Sequence, residues 1–443
     1  MTMTYQEIIN RALELGISEV ELYASTSESN NYNVEGGKLD TLNKKTLFSL
    51  SIRGIYNDKM CYVSTESLEK EDIELVLHSL IENAKCLTTP EKEFIFAGGA
   101  KYKEVKELTS NYKEVPTSKK IEMLKKLEKD LKATDKKIAK VSDCSYSEAS
   151  QKIEIINSKG VNLSRKGSYI SAVAGVLAAD GDQTTVGYSG DVNSNFEDLE
   201  LDRIVKEASE NAVSTLGAGS VESGTYPIVL KRDVSSQILQ AFSGIFSAET
   251  VIRKMSIIAD KIGTKVFGDN ITLIDDPFSE TALMQIPFDD EAVPCETKKI
   301  VENGIFNGFF HTQKTANALG AKLTGNGFRS GGTITPQPTN FYLQPGDKSL
   351  DDMFASIDKG IYVTDVQGLH AGLNPISGDF NVQASGYLIE NGKKSKPVTL
   401  FVISGNFFEM LNNVEMIGND LEKRFTNVAC PALKIKSLQV SGK

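Results

Sequence analysis

Apolar residues recur at helical spacing near the start of the chain. Tyr5, Ile8, Ile9, Ala12 and Leu13 share one face, and Gly16 follows where a helix-ending glycine belongs. The stretches EVELYAST, NYNVEGGKL, TLFSLSIRG and KMCYVSTE alternate and are parted by Gly- and Asn-containing turns, which predicts strands. Ile73, Val76, Leu77, Leu80, Ile81 and Ala84 make the stripe of a second helix; His78 lies off it and is expected on the helix surface. Residues 87–117, with Thr-Thr-Pro, Gly-Gly and many charges, read as a connection.

A helix over 118–133 leads into a β-rich stretch, about 138–191, whose alternation around Gly turns predicts an antiparallel meander. A helix from Leu199 to Leu216 closes it, and GAGSVESGTYP reads as a linker at about 217–226. Strand YPIVLKR then opens the last half, followed by an amphipathic helix from about Val234 to Thr250. Its buried stripe is Ile238, Leu239, Phe242, Ile245 and Phe246; the opposite face, Ser236, Gln240, Ser243, Gly244 and Ser247, is small and polar. Irregular, Gly-rich β structure continues to the end, with Asn-Gly hairpin turns in VENGIF and LIENGKK. Strands and helices do not alternate as regular βαβ units. The expected class is α+β and multi-domain, with mixed or antiparallel sheets: an N-terminal α/β subdomain (1–108), a middle α+β subdomain (109–222) and a β-rich C-terminal domain (223–443).

Composition narrows the chemistry. The 443 residues include 40% hydrophobic and 24% charged positions, enough for substantial cores without disulfides. Cys61, Cys86, Cys144, Cys295 and Cys430 are scattered and form no CxxC pair, so reduced thiols are expected. No run approaches the roughly 18 apolar residues of a membrane span, and MTMTYQEIINRALELG lacks the pattern of a secretory signal; a cytoplasmic protein is expected. The formal charge of -10 argues against direct nucleic-acid binding. The basic run Lys119 to Lys137 alternates with acids and reads as a solvated helix face. Three histidines, His78, His311 and His370, leave few options for metal binding or acid–base work. No phosphate-loop or nucleophile-elbow pattern occurs.

The C-terminal half carries three long motifs in order. PFDDEAVPCETKKIVENGIFNGFFHTQKTANALGAKLTGNGFRS resembles a family segment joining a phrase like "FDdEG" to "TGN--R". GLHAGLNPISGDFNVQASGYLIENGK is similar to "G-h-g-n--tGDFs----G--IEnGk", and FVISGNFFEMLNNVEMIGNDLE to "i-GNl-e-l-ni--iGnDle". These motifs identify the chain as resembling the TldD/PmbA family of metallopeptidases, strongly after about residue 224 and more weakly before it.

The resemblance implies specific roles. In the TldD branch an HExxxH helix follows the first C-terminal strand; two His and a distant C-terminal Cys bind the metal, and the Glu serves the metal-bound water. Aligned on the PIVL strand, those His, Glu and His positions fall on Gln240, Ala241 and Ile245, and no His lies between His78 and His311 whatever the register. The chain therefore resembles the PmbA/TldE-like branch, with no catalytic residues and no metal of its own. Cys430 lies close to the family's ligand Cys. His311, His370, Cys295 and Cys430 are a weak alternative metal site, their spacings matching no metal pattern. Asn326 and Arg329, in the "TGN--R" motif, are candidates for fixing a cleft or meeting a peptide carboxylate. Asp379 in SGDF and Asn406 in SGNFF suit either tight turns or a cleft wall.

The implied assembly is a dimer around a peptide-sized chamber, with a TldD-like subunit or as a homodimer. Zinc is expected in the TldD-like partner and an unfolded peptide as substrate. The family is associated with maturation of peptide antibiotics, degradation of unfolded antitoxin and, by historical name, modulation of DNA gyrase. Three readings stand at this point: a non-catalytic subunit of a metallopeptidase complex, an active peptidase with an unrecognised site, and a non-proteolytic regulator acting on gyrase or its inhibitors.

Overall fold

The structure, a computed structural model, describes residues 1–88, 93–330 and 332–443; Thr89 and Pro90 of the expected connection and Gly331 of GNGFRSGG lie outside the described residues. Helix α1 (Tyr5–Glu14) starts at a capping box in which Thr4 and Glu7 satisfy each other's backbone N–H groups. Strands β1 (Glu19–Glu35), β2 (Lys38–Tyr56) and β3 (Lys59–Thr65) precede α2 (Lys70–Cys86). After the connection come α3 (Thr117–Thr134), β4 (Ile138–Asn157), β5 (Asn162–Asp180), β6 (Gln183–Asn193) and α4 (Leu201–Val213). All six strands form one antiparallel sheet in the order β3-β2-β1-β4-β5-β6.

Strand alternation gives this sheet two different faces. Val20, Leu22, Ala24, Leu50 and Ile52 pack on α1 and α2. Farther along β1, Tyr32 and Val34 join the core under α3 and α4. The odd positions of β1, Glu21 and Tyr23, point the other way, where Tyr23 packs with Phe288 and Ala292 of the C-terminal half. The four short strands expected from sequence are thus fewer and longer, because β1 runs unbroken through its polar middle while paired on both sides. The helix of the basic run is not wholly solvated. Lys120 is buried against Glu148, and Glu128 accepts from the Gly36 and Gly37 N–H groups at 2.9 and 2.7 Å, tying α3 to the β1–β2 turn.

The β6 edge, which would otherwise offer free backbone groups, is covered by α4. Asn211 Nδ2 and Arg203 Nη2 donate to the Tyr188 and Gly190 carbonyls. A Cβ at Gly187 would stand 2.2 Å from Ala208 O and 2.4 Å from the Ala212 nitrogen. Gly187→Ala is therefore expected to push α4 off the edge and lower stability by roughly 1–3 kcal/mol, the usual penalty of overpacking. Thermal denaturation checks this; an unchanged Tm would show that α4 gives way freely.

The C-terminal half begins with β7 (Gly224–Leu230), α5 (Arg232–Phe242) and α6 (Ala248–Ile252). Next come β8 (Leu273–Asp275), β9 (Lys298–Glu302), β10 (Ile305–Phe306), α7 (Gln313–Leu319), β11 (Gly327–Ser330), β12 (Thr333–Pro336) and β13 (Phe341–Leu343). Then follow α8 (Leu350–Ala355), β14 (Lys359–Gln367), β15 (Asp379–Glu390), β16 (Lys393–Asn406), α9 (Phe407–Asn412), β17 (Val414–Ile417), β18 (Val428–Ala429) and β19 (Leu433–Ser441). One mixed sheet runs β16-β15-β14-β7-β19-β17 and closes on itself where β16 also pairs with β19; a second runs β10-β9-β8-β13-β18. A single apolar core lies between them, with α5 inside it. The class is α+β with a β-rich C-terminal region, as expected. Both Asn-Gly pairs form their turns, with φ of 49° and 80° at Asn303 and Gly304 and of 51° and 76° at Asn391 and Gly392.

The helix expected over 234–250 is interrupted. α5 ends at Phe242, a single 3-10 turn spans Ser243–Phe246, and Ser247 caps α6. The Phe246 carbonyl accepts from the Phe310 N–H at 2.8 Å instead of continuing a helix, next to the weak helix former Gly244.

Candidate functional site

Helix α5 leaves β7 directly, and its buried face is Val234, Ser235, Ile238, Leu239 and Phe242. Gln240 is exposed in its last turn, Ala241 is half-buried, and Ile245 is buried in the 3-10 turn beyond the helix end. Cys430 is brought against this helix. Ser236 Oγ accepts from the Cys430 N–H at 2.8 Å and donates to the Cys430 carbonyl at 3.1 Å. Cys430 borders a cavity of about 10 Å³ with Leu239, Phe407 and Leu433, no larger than one water. Burial pushes its thiol well above the usual range, so the neutral form dominates. These residues do not fit a zinc ion: an exposed amide, two side chains without a donor and a sealed thiol are not the neutral His and thiolate that zinc requires.

Sequence-nominated His311, His370 and Cys295 do not join Cys430. His311 is buried, its main-chain N–H donating to Thr324 Oγ1 and its ring Nδ1 3.3 Å from Thr315 Oγ1; burial pulls its pKa down and favours the neutral ring. His370 is exposed in the turn after β14, and Cys295 Sγ donates to the Gly325 carbonyl. Among the described residues no group of three or more His, Cys, Asp or Glu side chains could hold a metal ion. The alternative metal site is not assembled.

The polar centre of the molecule is a seam between the first sheet and the acidic turn Phe288–Glu291. Arg53 and Glu21 are register partners on β2 and β1. Arg53 Nε donates to Glu21 Oε1 at 2.7 Å, and its Nη1 to Glu291 Oε1 at 3.0 Å; all three side chains are buried. The second Glu291 oxygen accepts from the Gln313 N–H at the start of α7. Asp289 accepts from the N–H groups of Glu291, Val293 and Gly327. Asp290 accepts from the Arg329 N–H and from Arg165 Nη2 at 2.6 Å. Ala292, standing where the family phrase has Gly, is buried at φ 63°, a conformation that favours glycine.

Arg329 turns into this seam. Its guanidinium lies 4.3 Å from the Tyr23 ring centroid and 3.8 Å from Glu21 Oε1. Asn326 is fully buried: its Nδ2 donates to Asp275 Oδ2 and the Gln337 carbonyl, and its Oδ1 accepts from Lys298. Buried and with both amide hydrogens donated, Asn326 fixes its loop, the first of the two roles its motif position suggested. Sequence reasoning missed Glu21, Arg53, Arg165 and Glu291. The available signal was a charge of opposite sign inside each of two apolar strands.

Asp379 and Asn406 form a second group. Asn406 caps α9, accepting from the Phe408 and Glu409 N–H groups, and its Nδ2 donates to Asp379 Oδ1 and the Ser377 carbonyl, both at 2.9 Å. The pair closes the 368–378 loop over an open hollow of about 810 Å³, lined by Gln367, Asn374, Asp379, Asn381 and Gln383 with backbone of Gly368 and Gly372. The walls are amide-rich side chains, whereas the Gly368 carbonyl accepts from the Gly372 N–H at 2.8 Å and the Gly372 carbonyl from the Asn381 N–H at 2.7 Å, so side-chain amides rather than these backbone groups are what the hollow offers a peptide.

Family models match nearly the whole chain: PmbA/TldA metallopeptidase domain 1 over residues 20–84, the central domain over 110–216 and the C-terminal domain over 223–442. The chain belongs to the TldD/PmbA family. Among TldD/PmbA relatives, Metalloprotease MJ0996 of Methanocaldococcus jannaschii is 28% identical, covering 94% of this chain and 93% of the relative. Metalloprotease PmbA of Escherichia coli O157:H7 is 23% identical, covering 99% of this chain and 96% of the relative. A candidate modulator of a DNA gyrase from Thermotoga maritima superposes with a TM-score of 0.90 at 29% identity, covering 99% of this chain and 100% of its own. TldE from Thermococcus kodakarensis shares the fold with a TM-score of 0.88 at 24% identity, covering 99% of each chain. No helix among the described residues is long and apolar enough to cross a membrane.

Proposed function

We propose that this chain is the PmbA/TldE-like, non-catalytic subunit of a TldD/PmbA-type metallopeptidase complex that processes unfolded peptides in the cytoplasm. The observation that carries the reading is α5. Where the catalytic branch places its His, Glu and His, this chain has Gln240 exposed, Ala241 without a donor and Ile245 outside the helix. Metal-assisted hydrolysis needs a polarised water and a carboxylate base, and these positions supply neither. The zinc and base belong to a TldD-like partner. This chain supplies wall: the hollow at the 368–378 loop positions an extended peptide, an orientation effect, and water is excluded only when a partner subunit covers it. Of the two Gly-rich motifs, GLNPISGDF borders that hollow, whereas Gly327 and Arg329 of the other are held by the acidic turn of the seam.

The test is cleavage of an unfolded peptide by each chain alone and by the mixture, with and without chelator. The expected result is no cleavage by this chain, and chelator-sensitive cleavage by a TldD-like partner that rises on mixing. Chelator-resistant cleavage by this chain alone, at the rate of the mixture, would sink the reading. Metal analysis of the isolated, untagged chain is expected to find no stoichiometric zinc or iron; one equivalent surviving dialysis would contradict it.

A further inference from the structure

A second cavity lies between the connection after α2, the strands β4 and β5 and the loop before the acidic turn. Its volume is about 240 Å³, and it shares no lining residue with α5 or the 368–378 hollow. Its walls are fixed. The Ser168 N–H donates to the Leu108 carbonyl at 2.9 Å, the Ser110 N–H to Ser168 Oγ at 2.8 Å and the Lys106 N–H to Gln285 Oε1 at 3.1 Å; Gln285 Nε2 is itself held by the Phe278 carbonyl. Gly167 lets Met284 lie against β5, since a Cβ there would stand 2.7 Å from the Met284 sulfur.

The lining is chemically two-sided. Ile153, Met284, Ile286 and Phe328 make an apolar body, and Lys106, Arg165 and Lys166 surround it with only Glu107 as an acid. Arg165 is committed, donating to the Phe288 carbonyl and Asp290. Lys166 shares a solvent-exposed pair with Glu107 at 3.2 Å, which is weak and exchanges readily. Lys106 makes no ion pair among the described residues and is exposed. With Arg165 held by Asp290, the lining keeps one lysine without an ion pair among the described residues, Lys106, beside the exchangeable Lys166–Glu107 pair, and an anion complements that rim. A dry cavity of about 150 Å³ accommodates benzene, so this one has room for a ring and a short tail.

We propose that this cavity binds a small amphipathic monocarboxylate, with a ring or branched hydrocarbon inside and its carboxylate at Lys106 and Lys166. Three parts of the chain line it, so an occupant braces the connection and the C-terminal loop against the first sheet and raises stability by mass action.

The experiment compares 3-phenylpropanoate with the uncharged 3-phenylpropanamide, by calorimetry and thermal denaturation of the full chain. The acid is expected to raise Tm and to bind about tenfold more tightly than the amide, the ratio that corresponds to one charge-assisted contact. Lys106→Gln, on the surface, should fold normally and shrink that ratio; Ile286→Trp, at a partly buried apolar wall residue, should fill the cavity and remove binding of both probes. No heat and no shift with the acid at millimolar concentration overturns the proposal. So does equal affinity for acid and amide, or an unchanged ratio in Lys106→Gln.

Discussion

Arg53→Ala is expected to destabilise the chain by about 3–5 kcal/mol, the range for removing one partner of a buried charge pair. The residue is 1% exposed and bonds two carboxylates at once, Glu21 on the neighbouring strand and Glu291 in the C-terminal half. Without it both acids stay buried with no partner of that quality, because Arg329 stands 3.8 Å from Glu21 rather than in hydrogen-bond contact. Burial already pushes the Glu291 carboxyl up, and Arg53 opposes that shift. Urea unfolding followed by far-UV circular dichroism measures the effect, since the chain has no Trp. A double-mutant cycle with Glu21→Gln separates the pair from the burial of each charge. An unchanged urea midpoint in Arg53→Ala would mean that water enters the seam and that the ion cluster contributes little.

Phe242→Ala should lose about 3–5 kcal/mol as well, through a cavity rather than a charge. Phe242 is fully buried, stacks on Phe407 at 4.6 Å with an interplanar angle of 23° and meets Phe380 edge-on at 6.5 Å. Phe380 belongs to β15, where ladder hydrogen bonds hold the backbone in place, so the site collapses poorly and the empty volume persists. A smaller loss in Phe242→Leu than in Phe242→Ala is the expected order. A melting curve unmoved by Phe242→Ala would show that α5 does not anchor this core.

The two residues differ in how far the sequence announced them. Phe242 lies on a stripe with Ile238, Leu239, Ile245 and Phe246, and all five are buried even though the helix breaks after Phe242. The break was hidden because a 3-10 turn keeps the apolar residues facing the core, so periodicity alone does not register the change. Arg53 and Glu21 carried no such pattern. A lone charge in an apolar strand is as compatible with an exposed face as with a buried pair, and Glu291, which decides between them, is more than two hundred positions away in the chain.

The sequence by itself determined the local elements whose signals are local: the four N-terminal helices α1 to α4, the apolar stripe of α2 and the glycine that ends α1, the Asn-Gly turns, the α+β class, and the absence of His between His78 and His311. It also placed Gln240, Ala241 and Ile245 against the family's catalytic pattern. Only the tertiary structure decided that β1 runs unbroken between its two neighbours, that Lys120 and Glu128 turn inward, and that Arg329 faces the seam while Asn326 is spent inside the fold. The physical reason is range. Helix periodicity and turn chemistry act over a few residues, whereas burying a charge is settled by partners that long-range folding brings within about 3 Å, the distance at which a charged hydrogen bond replaces water.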